Sequence, residues 1–188
     1  SNPTAGGACT GSGVGPRRME NIVGVVKAYT TRVGAGPFPA EQLNEVGEYL
    51  RNTGHEFGTV TGRPRRCGWL DTAVVKYAAM LNSLDYLAIT RLDILDDLDT
   101  IKICTGYKYQ GQILKEYPAS LDVLENVEPI YEEMPGWKAD ISKCKSYDEL
   151  PEAARHYVER ISELTGVPLG IVSVGPNRSQ TIILKKIF

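Results

Sequence analysis

The chain has 188 residues, of which 42% are hydrophobic and 23% are charged, and its formal net charge at pH 7 is −2. These values are ordinary for a globular domain and exclude a largely disordered chain. The slightly acidic balance excludes a strongly basic nucleic-acid surface, and no apolar run reaches the roughly 18 residues of a membrane span. We therefore expect small anionic ligands, with neither nucleic acid nor a membrane as partner.

Four cysteines lie far apart in the sequence and form no CxxC pair: Cys9, Cys67, Cys104 and Cys144. No histidine accompanies them, so neither a metal finger nor a disulfide framework is indicated. The pattern favours reduced thiols and a cytoplasmic location, with a disulfide left open by the even number. The chain also begins at Ser1 and not at methionine, which suggests a piece of a longer protein.

Glycine and small polar residues dominate residues 1–16, which predicts a loop whose backbone can approach a ligand closely. No G-x-G-x-x-G motif stands there in a strand-helix context, so a dinucleotide fingerprint is excluded. A helix is predicted over residues 16–25, with Pro16 in its first turn, and a strand over residues 27–33. The glycine- and proline-rich residues 34–39 end that strand, as a ligand-binding loop or as a plain connection.

Residues 58–71 form a basic, glycine-bounded stretch that concentrates positive charge more than any other. Arg63, Arg65 and Arg66 carry planar guanidinium groups, which match carboxylates and phosphates two bonds at a time. Pro64 lacks a backbone N–H and keeps its neighbours out of helical geometry. This stretch, which we call the arginine loop, predicts an anion site or, with about equal weight, a solvated basic turn.

A helix is predicted directly after the arginine loop, over residues 69–81. Its apolar residues recur at helical spacing and predict one buried face: Leu70, Val74, Tyr77 and Leu81. The free amides at a helix N-terminus carry partial positive charge and favour anions. This placement shifts the weight slightly towards a ligand that the arginines and the helix N-terminus would share.

Two more amphipathic helices are predicted, over residues 41–50 and 150–164. The first turns Leu43, Val46 and Leu50 inward. The second carries one apolar stripe: Ala154, Tyr157, Val158, Ile161 and Leu164.

Strands are predicted over residues 86–96, 100–109, 112–114, 170–178 and 181–186, the second and third forming a hairpin. Between them, residues 115–146 predict irregular surface with one short strand. Helices alternate with strands along the chain, which predicts an α/β fold with added antiparallel strands.

Asp93 follows the apolar strand and is a candidate for recognising a purine base. A carboxylate there can accept hydrogen bonds from both N1–H and the exocyclic amine of guanine, a donor pair that adenine lacks. A solvated acid at a strand end is the commoner alternative. A second candidate segment, whose backbone contacts the same base or simply makes a turn, comprises Ser173, Val174, Gly175 and Pro176.

Neither the histidines nor the acidic cluster form a recognisable catalytic or metal-binding motif. His55 and His156 lie far apart, and a structural role is expected for His156 inside its predicted helix. Asp96, Asp97 and Asp99 lack the glycine and distal glutamate of an EF-hand loop, so a solvated acidic turn is expected. The sequence therefore predicts neither a general base nor a metal ligand in this chain.

Several motifs, taken together and in order, resemble adenylosuccinate synthetase, the ligase that joins IMP and L-aspartate with GTP. The matching stretches are residues 1–7 (SNPTAGG), 27–34 (KAYTTRVG), 61–66 (TGRPRR), 68–71 (GWLD), 90–93 (TRLD) and 134–137 (MPGW). The resemblance implies the C-terminal part of a mixed, largely parallel-sheet, P-loop-like ligase fold. Residues 1–25 would be the tail end of an N-terminal nucleotide-binding core, and residues 26–188 a C-terminal domain.

The resemblance also implies roles for individual residues. Thr61 and Arg63 would hold the aspartate carboxylates, and Arg63 would also lie beside the IMP ribose, with Val33 nearby. The aspartate-binding loop comprises Thr59, Val60, Thr61, Gly62, Arg63, Pro64 and Arg65. The GTP-binding residues would be Arg65, Arg91, Leu92, Asp93, Ser173, Val174, Gly175 and Pro176.

Two residues depart from the family's pattern. Arg91 stands where lysine is common, which preserves packing of the stem over the base but changes its contacts. Val60 replaces a threonine, so a side-chain hydroxyl contact is lost and only backbone can serve there.

The family's phosphate loop, catalytic aspartate, catalytic histidine and magnesium ligands have no counterpart in this chain, so the resemblance covers somewhat under half of the enzyme. It implies Mg²⁺ and GTP, the substrates IMP and L-aspartate, and a cytoplasmic homodimer when complete. In the implied reaction GTP phosphorylates the 6-oxygen of deprotonated IMP, and the aspartate amine then displaces phosphate. This chain would supply recognition and is expected to be inactive alone.

Two other functions stay open. The chain could be a stand-alone, non-catalytic nucleotide-binding module that kept the binding loops. It could also bind nucleic acid through the arginines from Arg63 to Arg66, although the acidic balance disfavours this.

Overall fold

The computed structural model describes residues 2–187, which form the predicted α/β fold. The helices of the described residues are Ala5–Ser12 (α1), Glu45–Thr53 (α2), Thr72–Asn82 (α3), Leu121–Glu125 (α4) and Glu152–Thr165 (α5). The strands are Val23–Lys27 (β1), Thr30–Arg32 (β2), Arg66–Gly68 (β3), Leu70–Asp71 (β4), Tyr86–Thr90 (β5), Thr100–Tyr109 (β6), Gln112–Leu114 (β7), Glu128–Pro135 (β8), Leu169–Ser173 (β9) and Thr181–Ile183 (β10).

The first sheet has the strand order β1-β5-β9-β10. Strands β1, β5 and β9 are parallel, and β10 returns antiparallel to β9. The inner strand β5 buries Leu87 and Ile89 completely, as expected of a parallel strand covered on both faces. Parallel strands end at the same edge of a sheet, so the segments that follow Lys27, Thr90 and Ser173 all leave from that edge.

A second sheet has the order β4-β6-β7, and β8 also pairs with β6. Strand β4 is parallel to β6, whereas β7 and β8 are antiparallel to it. The predicted hairpin is confirmed as β6 and β7. The short strand predicted within residues 115–146 is confirmed as β8, which is longer than expected and pairs along most of β6, whereas α4 replaces part of the expected irregular surface.

Helix α5 confirms the clearest helix prediction. Its predicted stripe faces the core, with Tyr157 and Ile161 fully buried, and Gly166 ends the helix at φ 72°. The buried Tyr157 hydroxyl donates to the Ala28 carbonyl at 2.6 Å, which ties the helix to the segment after β1. The last two predicted strands are confirmed as β9 and β10, each shorter than expected.

The predictions for the amino-terminal segment are wrong. Ala5–Ser12 is helical because the Thr4 side chain caps its first turn and Gly13, at φ 74°, ends it. The helix expected over residues 16–25 is a short 3₁₀ turn followed by β1. Val23–Lys27 is rich in valine and pairs with β5, so tertiary pairing overrides the helical spacing.

The strand expected over residues 27–33 is divided between two ladders. Strand β1 ends at Lys27, and β2 begins at Thr30 and pairs with β3. Helix α2 begins after the N-cap Asn44, so Leu43 lies outside it and is 89% exposed, contrary to prediction.

The helix after the arginine loop begins later than predicted and buries another face. Strands β3 and β4 intervene, and α3 starts at Thr72. Leu70 is buried in β4, but the other residues predicted to face inward are exposed: Val74 by 40%, Tyr77 by 41% and Leu81 by 58%. Ala73 and Ala79 face the core instead, because small side chains let α3 pack closely against its neighbours.

Candidate functional site

The carboxyl edge of the parallel strands gathers most of the predicted site. Lys27 lies opposite Thr90 in the β1–β5 ladder, and Ile89 lies opposite Val172 in the β5–β9 ladder. The turn after β5 and the loop after β9 are therefore neighbours. Open α/β sheets bind ligands at this edge, so the fold brings the two predicted guanine-reading segments to a suitable place.

The turn after β5 begins with a strained residue. The predicted strand over 86–96 ends early, at Thr90, because Arg91 adopts a left-handed conformation at φ 60°. The Arg91 Nη2 donates to the Gly54 carbonyl at 2.6 Å, and fully buried Leu92 anchors the turn that follows. A non-glycine residue held in this conformation is characteristic of a site whose geometry is fixed by its surroundings.

Asp93 lies in this turn and is neither fully buried nor fully exposed. Burial raises the pKa of its carboxyl group, an effect that its own backbone N–H and the Arg91 charge partly offset. The carboxylate is therefore partly dehydrated, which strengthens any hydrogen bond it makes to a ligand donor.

The loop after β9 is held by its own hydrogen bonds. The Val174 amide donates to the Gln180 carbonyl at 2.9 Å, and the Ser173 hydroxyl donates to the Gly175 carbonyl at 2.9 Å. A Cβ atom on Gly175 would lie 2.4 Å from the Gln180 side chain, so a larger residue at this position would displace the Gln180 amide group. The Val174 amide is consequently occupied, and Pro176 is exposed at the turn.

The tip of the arginine loop closes through backbone hydrogen bonds. Gly58 donates to the Arg63 carbonyl at 2.8 Å, and Gly62, at φ 64°, donates to the Gly58 carbonyl at 2.8 Å. The Thr61 hydroxyl accepts from the Arg63 amide at 3.3 Å. The remaining tip residues, Thr59, Val60 and Pro64, are exposed, so the tip is ordered yet open to solvent.

Arg63 differs from the two arginines that follow it. It is exposed, and no side-chain hydrogen bond or ion pair reaches its guanidinium among residues 2–187. Arg66 instead binds Glu41, with Nε to Oε1 at 2.8 Å, and donates to the carbonyls of Gly34 and Gly36. The arginine loop is therefore divided into a free tip and a bound base.

Arg65 binds Glu56, a fully buried carboxylate that sequence reasoning missed. Its Nη1 donates to Glu56 Oε2 at 2.7 Å, while Glu56 Oε1 accepts from Lys27 Nζ at 2.7 Å and from Tyr29 Oη at 2.6 Å. Arg91 Nε lies 3.7 Å from the same Oε1. We call these residues the Glu56 cluster; its signal in the sequence was a lone acid beside a basic loop.

The surroundings of Glu56 act on its pKa in opposite directions. Burial raises it, but hydrogen bonds from Lys27, Tyr29 and Arg65 outweigh burial, so the pKa lies below its ordinary value. Burial and the bond to Glu56 together raise the pKa of Tyr29. Glu56 is therefore a carboxylate at neutral pH and Tyr29 is its neutral donor.

The predicted anion site shared by the arginines and the helix N-terminus is wrong. Asp71 caps α3, and its Oδ1 accepts from the amides of Ala73 and Val74. Tyr107 donates to the other Asp71 oxygen at 2.7 Å. The helix N-terminus is thus satisfied internally, and several residues separate it from the arginines.

The acidic turn after Asp93 is not simply solvated. Asp96 Oδ1 accepts from Trp137 Nε1 at 2.6 Å and its Oδ2 from the Ile141 amide at 3.1 Å. Burial raises the pKa of Asp96 to about 6, because its donors are neutral and do not offset the loss of hydration. Within residues 2–187, no group of three or more His, Cys, Asp or Glu side chains could hold a metal ion.

Three other predictions concern single residues or residue types. Val33 directly follows β2 and is 77% exposed. Because Arg32 lies opposite Arg66 in the β2–β3 ladder, Val33 is beside the arginine loop. His156 is a surface residue, with its Nε2 3.8 Å from Glu152, and does not pack in the core. All four cysteines lie within the described residues, and none is in a disulfide.

No helix in the described part of the chain is long and apolar enough to cross a membrane.

Fold and site together define an α/β protein with a candidate binding site at the carboxyl edge of a parallel sheet. The family model described as adenylosuccinate synthetase matches residues 1–182. The chain therefore belongs to the adenylosuccinate synthetase family.

Curated relatives and a solved structure agree with this assignment. Adenylosuccinate synthetases from Brachyspira hyodysenteriae and Desulforudis audaxviator are 61% and 58% identical over 188 residues, which is 100% of this chain and 44% of each relative. The structure of a fully ligated adenylosuccinate synthetase from Plasmodium falciparum is 45% identical, with a TM-score of 0.94 over 98% of this chain and 45% of that one. The chain thus spans less than half the length of these relatives.

Proposed function

We propose that this chain supplies aspartate and guanine recognition to the GTP-dependent ligation of IMP and L-aspartate into adenylosuccinate. Family membership supports the reaction. The observation that carries the division of roles is the convergence of the Arg91–Asp93 turn, the loop after β9 and Arg65 at one sheet edge, beside an exposed arginine loop tip. No step of the proposal uses a metal ion held by residues 2–187, and Mg²⁺ would be bound elsewhere in the enzyme.

Aspartate recognition falls to the loop tip. Arg63 is exposed and unpaired within the described residues, so its guanidinium can bind a carboxylate through two parallel hydrogen bonds. The Thr61 hydroxyl, already oriented by the Arg63 amide, adds a donor beside it. We place the IMP ribose beside Arg63 and near Val33, whose side chain is 77% exposed and so open to a ligand.

Guanine recognition falls to the sheet edge. Asp93, partly dehydrated, would accept from N1–H and the exocyclic amine, and the Arg91 stem would pack over the base. The segment Ser173 to Pro176 would line the opposite side, although the Val174 amide is unavailable because Gln180 uses it. Arg65, held by Glu56, would direct a further donor towards the GTP.

The remaining chemistry would be supplied by parts of the enzyme that the relatives have and these residues do not match. Those parts would hold the phosphates and Mg²⁺, deprotonate IMP and complete a homodimer. We propose that residues 1–25 end the nucleotide-binding core and residues 26–188 form the recognition domain. Strand β1, Val23–Lys27, runs across this boundary and would join the two.

The test compares this chain with a chimaera in which residues 1–188 replace the matching segment of the Brachyspira hyodysenteriae relative. With GTP, IMP, L-aspartate and Mg²⁺, we expect adenylosuccinate from the folded chimaera and none from the chain alone. Turnover by the chain alone would contradict the division of roles. An inactive, folded chimaera would contradict the proposed function, and tight GTP binding by the isolated chain would then favour the non-catalytic module.

A further inference from the structure

Cationic side chains from three separate parts of the fold lie close to one buried carboxylate. Lys27 ends β1, Arg91 follows β5, and Arg65 lies at the base of the arginine loop. All three approach Glu56, which is itself only 1% exposed. A single side chain thus connects the sheet edge to the loop.

The cations are held at their inner ends and remain accessible at their outer ends. The side chains of Lys27, Arg65 and Arg91 are 28%, 31% and 35% exposed. One carboxylate against three cations leaves an excess of positive charge facing solvent, which attracts anions. Without the carboxylate, the cations would repel one another and turn outwards, because like charges at short range are unfavourable.

The position of Glu56 is fixed by its backbone and its neighbours. Its amide donates to the Arg51 carbonyl at 2.8 Å, and its carbonyl accepts from the Arg65 amide at 2.8 Å. A Cβ atom on Gly54 would lie 2.3 Å from the Tyr29 hydroxyl, so glycine is needed to make room for the Tyr29–Glu56 hydrogen bond. The Glu56 carboxylate is therefore held in one position relative to the groups around it.

Two buried donors in the cluster are still unsatisfied. The Nε atoms of Arg65 and Arg91 have no hydrogen-bond partner among the described residues. An unpaired buried guanidinium N–H is unfavourable, so each of these two donors gains from a hydrogen bond to a ligand or a water molecule. The cluster is thus ordered and keeps donors that a ligand can use.

We infer that Glu56 is a positioning residue that fixes Arg65 and Arg91 relative to each other, and so links the aspartate-binding loop to the guanine-reading turn. This inference rests on the proposed function. Glu56 itself touches no substrate: it would act by keeping two arginines in the directions that the ligands require. Loss of its charge should therefore weaken both ligands together.

The experiment measures KM and kcat for GTP and for L-aspartate in the chimaera. Glu56→Gln removes the charge at nearly constant shape, and Glu56→Asp keeps the charge but shortens the side chain. The matched control is Glu41→Gln, which breaks the comparable ion pair of Arg66, a residue with no assigned ligand. Thermal unfolding of each variant reports how far folding is affected.

We expect Glu56→Gln to raise KM for GTP and for aspartate about ten-fold each, with a smaller change in kcat, because bound orientation and not chemistry is altered. Glu56→Asp should give smaller increases in both. Glu41→Gln should lower the unfolding temperature and leave both KM values within about two-fold.

The inference is overturned if folded Glu56→Gln keeps both KM values near those of the unaltered chimaera, since Glu56 would then be structural only. It is also overturned if only one KM changes, or if neither Glu56 variant folds. An unaltered, folded chimaera without activity contradicts the proposed function instead. The two failures are therefore distinguishable.

Discussion

The tip and the base of the arginine loop contain the same residue type in opposite states. At the tip, Arg63 is exposed and unpaired within the described residues, whereas at the base Arg65 and Arg66 bind Glu56 and Glu41. A paired guanidinium has a fixed direction, while an unpaired one gains its direction only when a ligand binds. The difference separates residues that organise the site from the residue that we expect to contact substrate first.

Glu56→Gln should remove the ion pair of Arg65 at the base of the arginine loop, and we expect it to have the largest effect on folding. It leaves Lys27, Arg65 and Arg91 without a counter-charge, and removing one partner of a buried ion pair costs about 3 kcal/mol or more. Urea unfolding of the chain at pH 7, followed by tryptophan fluorescence, measures the loss. A variant within about 0.5 kcal/mol of the parent would show that the cluster contributes little to stability.

Arg63→Leu should break the comparison at the tip, where function and not folding is affected. In the chimaera we expect KM for aspartate to rise about thirty-fold, or about 2 kcal/mol, for the loss of a charge-assisted bidentate contact. Unfolding free energy should stay within about 0.5 kcal/mol, because the side chain is exposed.

The control for Arg63 is Arg17→Leu, an exposed arginine in the 3₁₀ turn before β1. It removes one positive charge outside the site, so it separates a local contact from a general charge effect. An unchanged aspartate KM in Arg63→Leu, or an equal rise in both variants, would refute the role of Arg63.

Asp93→Asn tests base recognition at the sheet edge, which adjoins the base of the arginine loop. An amide can accept only one of the two guanine hydrogen bonds and presents a donor to the other. We expect the preference for GTP over ITP, which lacks the exocyclic amine, to fall about ten-fold in kcat/KM. A preference equal to that of the unaltered chimaera would remove Asp93 from base recognition.

The sequence was sufficient for the elements whose pattern is local. Helix α5 has a complete apolar stripe, a proline at its start and a glycine after its end, and it was predicted with its core face. Helix α3 has the same periodicity, yet Val74, Tyr77 and Leu81 are exposed, and a different set packs inward: Ala73, Val75 and Ala79. Which face of a helix is buried depends on the neighbouring elements, and local spacing cannot supply that.

The candidate site divides in the same way. Motifs in the sequence singled out Arg63 and Asp93, which have no ion-pair partner among residues 2–187, and they also singled out arginines whose partners they did not predict: Arg65, Arg66 and Arg91. They did not single out Glu56, because its partners Lys27 and Arg91 come from distant parts of the chain. Only the parallel arrangement of β1 and β5 brings those two residues to the same carboxylate.

The smallest effect concerns pH and compares Glu56 with Asp96, a carboxylate whose donors are neutral. The pKa of Glu56 is lowered, so its contribution to stability is present above about 4.5 and is lost as the pH falls through its folded pKa. The pKa of Asp96 is raised from 3.8 to about 6, so its contribution has the opposite sign. Stability from Asp96 is full below 3.8 and declines as the pH rises towards 6.

Urea midpoints between pH 3 and pH 7 test this pair of signs. The shift of Asp96 sets an upper limit of about 3 kcal/mol, and we expect about 1 kcal/mol because solvent screens a partly exposed group. Asp96→Asn should flatten the decline between pH 4 and pH 6, and Glu56→Gln should flatten the loss below pH 4.5. If both variants kept the parent's dependence of stability on pH, the charge of the hydrogen-bond donors would not be what distinguishes Glu56 from Asp96. The contrast between the ion-paired base of the arginine loop and its unpaired tip would then lose its electrostatic explanation.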